Sequence, residues 1–294
     1  MDLRRIKKHP VLQIPEKKEI TFTWNGKTLG GYEGEMISST LFANGIRIFG
    51  HHPKDNSPQG LFCANGQCSQ CLVIADGLPV KSCMTPLSEG MVVESVEGLP
   101  KLPEDDVEPQ IQSADVKEVD VLIIGAGPAG LAAAVELGKR GVETLVLDDK
   151  DRPGGKLVLQ THKFFGSVED SYAGTRGFEI AAILADEIGK LDSVDIWLNT
   201  TAVGVFSDKI VGAVKGVKKQ QYRRIRPKKL LIATGAREKM LSFPGNTLPG
   251  VYGAGAFQTL VNRDLIKSSE KVLIVGGGNV GLIAGYHAIQ AGIE

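Results

Sequence analysis

The stretch that decides the fold is 119–149, which reads VDVLIIGAGPAGLAAAVELGKRGVETLVLDD. Its pattern predicts a buried strand over 119–124, then a helix, then a second strand over 144–147. Three glycines follow the first strand with the spacing G-x-G-x-x-G: Gly125, Gly127 and Gly130. The first allows a tight turn, the second lets a pyrophosphate approach the backbone, and the third lets the helix pack closely on the strand. The pyrophosphate would lie at the helix N-terminus, where free N–H groups favour anions, so the stretch predicts a Rossmann-type, dinucleotide-binding α/β unit.

Neighbouring residues complete this predicted site. Pro128 and Ala129 lie between the second and third glycines. The acid that closes the second strand would accept a hydrogen bond from a ribose hydroxyl. Asp148, 23 residues after Gly125, is the first candidate, and Asp149 is the second because strand ends read from sequence shift by a residue or more. A glycine-rich turn in another kind of α/β protein is the alternative.

Length and composition set broad limits on the class of protein. At 294 residues the chain is long enough for about two domains, and 42% apolar and 23% charged residues are ordinary for a globular chain. Lys and Arg total 34, as do Asp and Glu, so nothing supports a nucleic-acid-binding surface. Residues 1–15 are basic but lack the apolar run of a signal peptide, and no run approaches the roughly 18 apolar residues of a membrane span. The expected location is the cytoplasm.

Four cysteines lie close together in the sequence with the spacing C-x4-C-x2-C-x11-C. They are Cys63, Cys68, Cys71 and Cys83. In a cytoplasmic chain such a group indicates a metal site rather than disulfides. The x4 and x2 spacing is that of plant-type [2Fe–2S] ligation, and Gly66 gives the loop the backbone freedom to curl around inorganic sulfide. We expect these cysteines to be [2Fe–2S] ligands; zinc and inert thiols are the alternatives, and zinc is disfavoured because only one short-spaced pair is present.

The pattern around the cysteines predicts a small α+β domain over 1–99. The predicted elements are strands over 19–24, 27–31, 72–75, 79–83 and 91–96 and a helix over 35–43. Asn25-Gly26 and Asp76-Gly77 are strong hairpin turn signals between the paired strands. Two hairpins, one helix and a cysteine loop between short strands indicate a β-grasp fold.

The cysteine segment has a specific resemblance. GLFCANGQCSQCLVIADGLPVKSCMTPL at 60–87 resembles the ferredoxin-like module of the A subunits of hydrogen cyanide synthase and of opine oxidases. It is also similar in order and outline to the N-terminal domain of the sarcosine oxidase α subunit, which in its usual form lacks the cysteines. The resemblance implies that the four cluster ligands of these proteins correspond to the four cysteines here.

A second resemblance concerns a predicted FAD-binding domain over 118–270, which would be incomplete. It is joined to the first domain by a predicted linker, the proline-rich and acidic stretch 100–117. KDRPGGK at 150–156 resembles the loop that wraps FAD in flavoproteins with two dinucleotide-binding domains, although these commonly have glutamine where Lys156 stands. The resemblance implies FAD contacts at Arg152, Gly154, Gly155 and Lys156.

Two further segments strengthen this resemblance. Ala233, Thr234 and Gly235 follow a buried strand and resemble the A-T-G loop that approaches the flavin in this family, where small residues allow contact. SFPGNTLPGVYGAGAFQ at 242–258 resembles the P-G-x-x-L-P-G-V segment of cyanide synthase B and sarcosine oxidase α. One chain is therefore expected to join ferredoxin-like and flavoprotein parts.

Residues 271–294 are predicted to begin a second dinucleotide-binding domain of the NAD(P) type. A strand over 271–275 and a helix to Ala291 would flank a second glycine motif, formed by Gly276, Gly278 and Gly281. The first copy continues into the strand that carries its ribose acid, whereas the second copy ends before that strand. We therefore expect a fragment, or a domain that another chain completes. NAD(P) binding here stays an open alternative, and NAD is not distinguished from NADP.

Together these features predict a redox protein. Flavin accepts two electrons as a hydride, and a [2Fe–2S] cluster carries one at a time, so one chain would convert between the two. No C-x-x-C lies in the nucleotide regions, and the sequence shows no acid–base or nucleophile group, so the cofactors would carry the chemistry. The resemblance implies an electron-transferring subunit of a hetero-oligomer, with a partner flavoprotein that oxidises an amino acid, an opine or a secondary amine. The alternatives are a self-sufficient NAD(P)H-dependent reductase and a non-redox nucleotide-binding subunit.

Overall fold

The computed structural model describes residues 4–101, 104, 114–217 and 219–294. Its backbone contacts fall into two compact units, one made of Met1–Asp106 with Arg237–Glu294 and the other of Val107–Ala236. Of the predicted linker over 100–117, residues 102, 103 and 105–113 lie outside the described residues. Within the described residues no helix is long and apolar enough to span a membrane. The domain boundaries predicted from the sequence stay predictions.

The chain forms fourteen strands and six helices within the described residues. The strands are β1 (Glu19–Trp24), β2 (Lys27–Tyr32), β3 (Gly50–His51), β4 (Pro58–Gln59), β5 (Leu72–Ala75), β6 (Leu78–Lys81), β7 (Val92–Glu94), β8 (Val96–Glu97), β9 (Val116–Ile124), β10 (Thr144–Leu147), β11 (Val194–Trp197), β12 (Thr200–Val205), β13 (Val211–Lys215) and β14 (Gln221–Ile232). The helices are α1 (Ile37–Ala43), α2 (Pro128–Gly138), α3 (Val168–Ser171), α4 (Gly177–Ile188), α5 (Ala254–Gln258) and α6 (Asn279–Gln290). A 3₁₀ turn covers Gly155–Leu159 and a π-helical turn covers Thr259–Arg263.

The first unit contains a mixed five-stranded sheet in the order β2-β1-β7-β5-β6. The alternation in β1 buries Ile20, Phe22 and Trp24 on one face, as the sequence predicted. Asn25 and Gly26 both have positive φ, which the tight β1–β2 hairpin requires. Helix α1 is buried along its whole length and packs on this sheet, while β4-β3-β8 form a smaller sheet. This is the predicted β-grasp arrangement, in which two hairpins enclose one helix.

The C-terminal part of the chain supplies core residues to this unit. Ala256, Leu260 and Ile266 pack in the same apolar cluster as the sheet and helix α1. A hydrogen bond from the hydroxyl of Ser39 to Asp264 Oδ2, at 2.7 Å, joins helix α1 to the segment after the π-helical turn. Residues 254–266 lie within the predicted flavin domain, and the sequence pattern gave no sign of this packing.

The second unit contains a six-stranded sheet in the order β11-β10-β9-β14-β13-β12. Strand β9 lies between β10 and β14 and runs parallel to both, which is the predicted Rossmann-type core. All four residues of β10 are buried, as expected for a parallel strand covered on both faces. Helices α2 and α4 cover one face of the sheet, and β12 to β14 form an antiparallel meander.

Three predicted elements differ in the structure. The prediction of a strand over 271–275 is wrong, because no described strand pairs with this stretch. Its side chains are largely exposed, with 87% exposure for Leu273 and 71% for Val275. A strand forms only where a neighbouring backbone completes its hydrogen bonds. The sequence has a helical pattern from Tyr172 to Leu191, which predicts a helix over that range, but helix α4 begins only at Gly177, because Tyr172 adopts a left-handed conformation with φ 53°. The strand over 91–96 is divided, since β7 and β8 belong to different sheets.

Candidate cofactor sites

The four cysteines predicted as ligands come together at one place in the first unit. Cys63 and Cys68 are half-buried, whereas Cys71 and Cys83 are buried. The thiols of Cys63 and Cys68 are within hydrogen-bond reach of each other, as are those of Cys71 and Cys83, and Cys63 also reaches Cys83. The loop that carries them is tightly curved, with Ala64 and Gly66 both at positive φ.

Proximity perturbs the titration of these thiols strongly. The Cys68 and Cys83 thiols donate to Cys63 and lower its pKa, and the Cys83 thiol lowers the pKa of Cys71 to about 7. Correspondingly, the contact with Cys63 raises the pKa of Cys68, and contacts with Cys63 and Cys71 raise that of Cys83. Four thiolates this close repel one another in the absence of a cation, so the donor set fits a group that supplies positive charge and prefers sulfur.

The arrangement also bears on which group fits. Among the described residues no set of three or more His, Cys, Asp or Glu surrounds a point that could hold a single metal ion. Cys63 and Cys68 form one close pair of thiols and Cys71 and Cys83 form another, and the contact of Cys63 with Cys83 links the two pairs. A [2Fe–2S] cluster has two irons and four protein ligands, so adjacent pairs suit it better than they suit one zinc ion.

The first glycine turn, Gly125–Gly130, lies in the second unit, where β9 meets α2. Gly125 has φ 110°, and a Cβ at this position would stand 2.3 Å from the carbonyl oxygen of Ala233. A Cβ at Gly130 would stand 1.9 Å from the carbonyl oxygen of Gly125, so the turn closes on itself. Gly127 has open space where its side chain would be, which leaves room for a ligand at the backbone. The three glycines therefore occupy the positions that the dinucleotide motif requires.

The N-terminus of helix α2 is prepared for an anion. Gly127 is its N-cap, Pro128 occupies the first turn, and no side chain caps the helix. No acidic residue lies in the first turn. Free backbone N–H groups and the helix dipole together favour a phosphate at such an end.

The loop with the R-P-G-G sequence packs directly against this turn. The N–H of Gly154 donates to the carbonyl oxygen of Ala126 at 2.7 Å, and a Cβ at Gly155 would stand 2.9 Å from the Cα of Gly127. Both glycines of the loop have positive φ. Arg152 and Lys156, predicted as FAD contacts in the same loop, are exposed.

The two candidate ribose acids have different environments. Asp148 is buried, and its carboxylate accepts hydrogen bonds from the N–H of Ala126 at 2.7 Å and of Lys150 at 2.9 Å. Burial raises the pKa of Asp148 above its usual value, although these hydrogen bonds oppose the shift. Asp149 is exposed and accepts from the ammonium of Lys150 at 2.8 Å. Asp148 therefore holds the glycine turn, while Asp149 is accessible from solvent.

The A-T-G segment follows β14, which pairs with β9. The N–H of Ala233 donates to the carbonyl oxygen of Ile124 at 2.8 Å, so the segment lies beside the glycine turn. Thr234 and Gly235 are exposed, and Gly235 has φ 74°. The structure thus brings together the glycine turn, the R-P-G-G loop and the A-T-G segment at the carboxyl ends of parallel strands, which is where α/β sheets bind ligands.

The second glycine motif belongs to the first unit. Gly276 has φ 111°, Gly278 caps helix α6, and a Cβ at Gly281 would stand 2.0 Å from the carbonyl oxygen of Gly276. The local turn is formed as predicted, although the strand before it is not.

Two profile comparisons cover most of the chain. The profile described as 2Fe-2S iron-sulfur cluster binding domain matches residues 17–98. The profile described as Pyridine nucleotide-disulphide oxidoreductase matches residues 119–294, which is more than half of the chain. The chain belongs to the pyridine nucleotide-disulphide oxidoreductase family. All four cysteines precede the matched range, so the family match concerns the nucleotide-binding part rather than a reactive disulfide.

Curated relatives confirm the predicted resemblance. Sarcosine oxidase subunit alpha from Rhizobium meliloti (strain 1021) is 26% identical over 94% of this chain and 33% of its own length. Hydrogen cyanide synthase subunit HcnB from Pseudomonas protegens is 32% identical over 53% of this chain and 33% of its own length. Opine oxidase A subunits match as well. The chain spans about a third of the length of these curated relatives.

A solved structure shows the same fold. The crystal structure of L-proline dehydrogenase from P. horikoshii covers 98% of this chain and 55% of its own chain, with a TM-score of 0.77 and 24% identity. This likeness concerns the fold alone, and it agrees with the predicted combination of a small α+β domain and a Rossmann-type domain. From the two profile matches, the chain has a [2Fe–2S] cluster-binding domain followed by an FAD-binding domain of the oxidoreductase type.

Sequence reasoning missed the residues that brace the cysteine loop. The N–H and hydroxyl of Ser82 both donate to the carbonyl oxygen of Cys71, at 3.1 and 2.7 Å. It also missed the structural role of Asp148, which it assigned first to the ribose. The only signal in the sequence was adjacency, since Ser82 precedes the fourth cysteine and Asp148 ends the second strand.

Proposed function

We propose that this chain transfers electrons between FAD and a [2Fe–2S] cluster as one subunit of a heteromeric amine-oxidising dehydrogenase or oxidase. The observation that carries the proposal is the presence, on one chain, of four converging thiols and of a glycine turn arranged for a pyrophosphate. The relatives named as subunits of sarcosine oxidase and hydrogen cyanide synthase support a partner subunit. Flavin supplies two-electron chemistry and the cluster supplies one-electron transfer.

Each predicted residue has a proposed role. Cys63 and Cys68 would hold one iron, and Cys71 and Cys83 the other. The Gly125–Gly130 turn would take the FAD pyrophosphate at the N-terminus of α2, with Gly154 and Gly155 closing over it. Of the two acids, Asp149 is the better ribose acceptor because the carboxylate of Asp148 is already occupied by backbone N–H groups. Ala233, Thr234 and Gly235 would approach the flavin.

Absorption spectroscopy of the anaerobically purified chain, with iron, sulfide and flavin assayed on one sample, tests the proposal. We expect about two irons, two sulfides and one flavin per chain, as a [2Fe–2S] flavoprotein requires. Cys63→Ser and Cys83→Ser should lose iron and sulfide but keep flavin. Zinc without sulfide would exclude the electron-transfer role of the cysteine loop. A partner is tested by purifying the protein from its native cells, where we expect a second flavin-containing subunit to co-purify with it.

A second candidate function is a self-sufficient NAD(P)H-dependent reductase. The observation that favours it is the second glycine turn, whose local backbone repeats that of the first. In that reaction NADH would pass a hydride to FAD, giving NAD⁺ and reduced flavin, and the cluster would then accept single electrons. Rapid bleaching of the flavin by NADH in the full-length protein would favour this function, and no bleaching by NADH or NADPH would exclude it.

A further inference from the structure

The segment before the fourth cysteine is bonded to both halves of the loop that carries the other three. Ser82 donates to the carbonyl oxygen of Cys71, as described above. One residue earlier, the ammonium of Lys81 donates to the carbonyl oxygen of Gly66 at 2.6 Å. Gly66 lies in the four-residue insert between the first two cysteines. Residues 81–83 therefore supply one thiol and hold the loop that carries the rest.

Lys81 is itself held in place by a short turn. Its carbonyl oxygen accepts hydrogen bonds from the N–H of Met84 at 2.9 Å and from the hydroxyl of Thr85 at 3.0 Å. Met84 packs on the other side of Gly66, because a Cβ at Gly66 would stand 3.0 Å from its Cγ. Gly66 has φ 82°, so its carbonyl direction depends on a conformation that few residues adopt. The loop is thus fixed from both sides of Cys83.

The hydrogen bond to Gly66 also brings the positive charge of Lys81 to the loop between Cys63 and Cys68. The side chain is half-buried, and no carboxylate of the described residues lies within ion-pair distance of its ammonium. A partly buried charge is screened by solvent less than an exposed one, so its effect on nearby groups is larger. One-electron reduction of a [2Fe–2S] cluster adds a negative charge to a site that already contains four thiolates.

We propose that Lys81 is a positioning residue for the cluster: its ammonium fixes the loop between Cys63 and Cys68 and raises the reduction potential of the cluster. The inference rests on the proposed ligation by the four cysteines. Hydrogen bonding and charge around cluster sulfurs set the potential, and loss of groups that orient metal ligands weakens metal binding. The two effects, fixing the loop and raising the reduction potential, can be separated by substitution, because arginine keeps the positive charge of Lys81 and methionine removes it.

The test compares Lys81→Met, Lys81→Arg and, as a matched control, Lys27→Met at an exposed hairpin of the same unit. Each full chain is assayed for iron and sulfide, titrated with dithionite and mediators under EPR detection, and followed for loss of the cluster in the presence of an iron chelator. We expect Lys81→Met to have a lower midpoint potential and about tenfold faster cluster loss. Lys81→Arg should lie close to the unmodified chain in potential.

Each outcome decides the inference. If Lys81→Met matches the Lys27→Met control in potential and in cluster loss, the inference is wrong although the cluster remains. If Lys81→Arg and Lys81→Met lower the potential equally, the charge effect is excluded. If Lys81→Met holds no cluster, Lys81→Gln replaces it in the titration, because glutamine keeps a hydrogen-bond donor without the charge. The inference then requires a lower midpoint potential in Lys81→Gln than in the unmodified chain. Absence of iron and sulfide from the unmodified chain would overturn the proposed function together with this inference.

Discussion

The two glycine turns have almost the same backbone and very different surroundings. Gly125 and Gly276 have φ of 110° and 111°, and a Cβ built at the third glycine of each motif would stand 1.9 and 2.0 Å, respectively, from the carbonyl oxygen of the first. The first turn is enclosed by a sheet: the N–H of Gly125 donates to the carbonyl oxygen of Leu147 at 2.7 Å, and Ala233 lies against it. Apart from Gly276 itself and its two chain neighbours, no atom of the described residues lies within 4 Å of a Cβ built at Gly276. Local sequence therefore determines the shape of the turn, and strand neighbours determine whether it is supported.

Replacement of the first glycine in each turn should give the largest difference. Gly125→Ala combines a strained φ with a Cβ placed 2.3 Å from a backbone oxygen, so we expect a loss of about 3 kcal/mol or more in the free energy of unfolding, and loss of FAD. Gly276→Ala has the strain without the collision and should cost about 1–2 kcal/mol. Denaturant unfolding and flavin content measure both. Equal losses would show that the sheet adds nothing to the first turn.

The next prediction concerns how the chain before the second turn is anchored. Leu260 is fully buried in the core of the cluster-binding unit, so Leu260→Ala should lower the free energy of unfolding by about 2–4 kcal/mol. Val280, at the start of α6 after the second turn, is 60% exposed, and Val280→Ala should cost less than about 0.5 kcal/mol. Thermal unfolding with iron content as a second readout checks this. A small effect at Leu260 would mean that the cluster-binding unit folds without 254–266.

A third comparison separates the roles of the two acids at the first turn, Asp148 and Asp149. Asp148→Ala leaves two backbone N–H groups without their acceptor and should cost about 1–3 kcal/mol. Asp149→Ala should leave stability unchanged and weaken FAD binding, which fluorescence titration of the flavin-free protein measures. If Asp149→Ala binds FAD normally while Asp148→Ala keeps full stability, the two roles are reversed.

The pH dependence of the Asp148 variant has a defined sign. Burial raises the pKa of Asp148 in the folded protein above its usual value of 3.8. The folded state then holds the proton more tightly than the unfolded state, so this group favours folding most below pH 3.8 and loses that contribution as pH rises through the folded pKa. The stability difference between the unmodified chain and Asp148→Ala should therefore be larger in acid than at neutral pH. A difference that grows toward neutral pH would contradict the direction of the shift.

The last comparison concerns the middle glycines of the two turns, where we expect a small change in stability. Gly127 and Gly278 are both helix N-caps with open space where a Cβ would be, and Gly→Ala at such positions should cost about 0.5–1 kcal/mol, because alanine is a poorer N-cap than glycine. FAD affinity should nevertheless fall in Gly127→Ala, because the methyl group occupies the approach of the pyrophosphate. Gly278→Ala should leave FAD affinity unchanged. Equal FAD affinity in the two variants would remove the first turn from the pyrophosphate site.

Sequence alone determined the elements whose signals are local. Alternation in EITFTW, the Asn25-Gly26 turn and the two glycine motifs predicted β1, its hairpin and both helix starts, since backbone conformation there follows from neighbouring residues. The cysteine spacing predicted a cluster and not a structural zinc site, and the profile match agrees. Tertiary structure decided which of these elements pack or form hydrogen bonds with other parts of the chain. The predicted strand over 271–275 does not form, and residues within 254–266 pack in the core of the cluster-binding unit. The carboxylate of Asp148 accepts a hydrogen bond from the glycine loop. These outcomes depend on contacts between residues distant in sequence, where burial and hydrogen bonding override local preference.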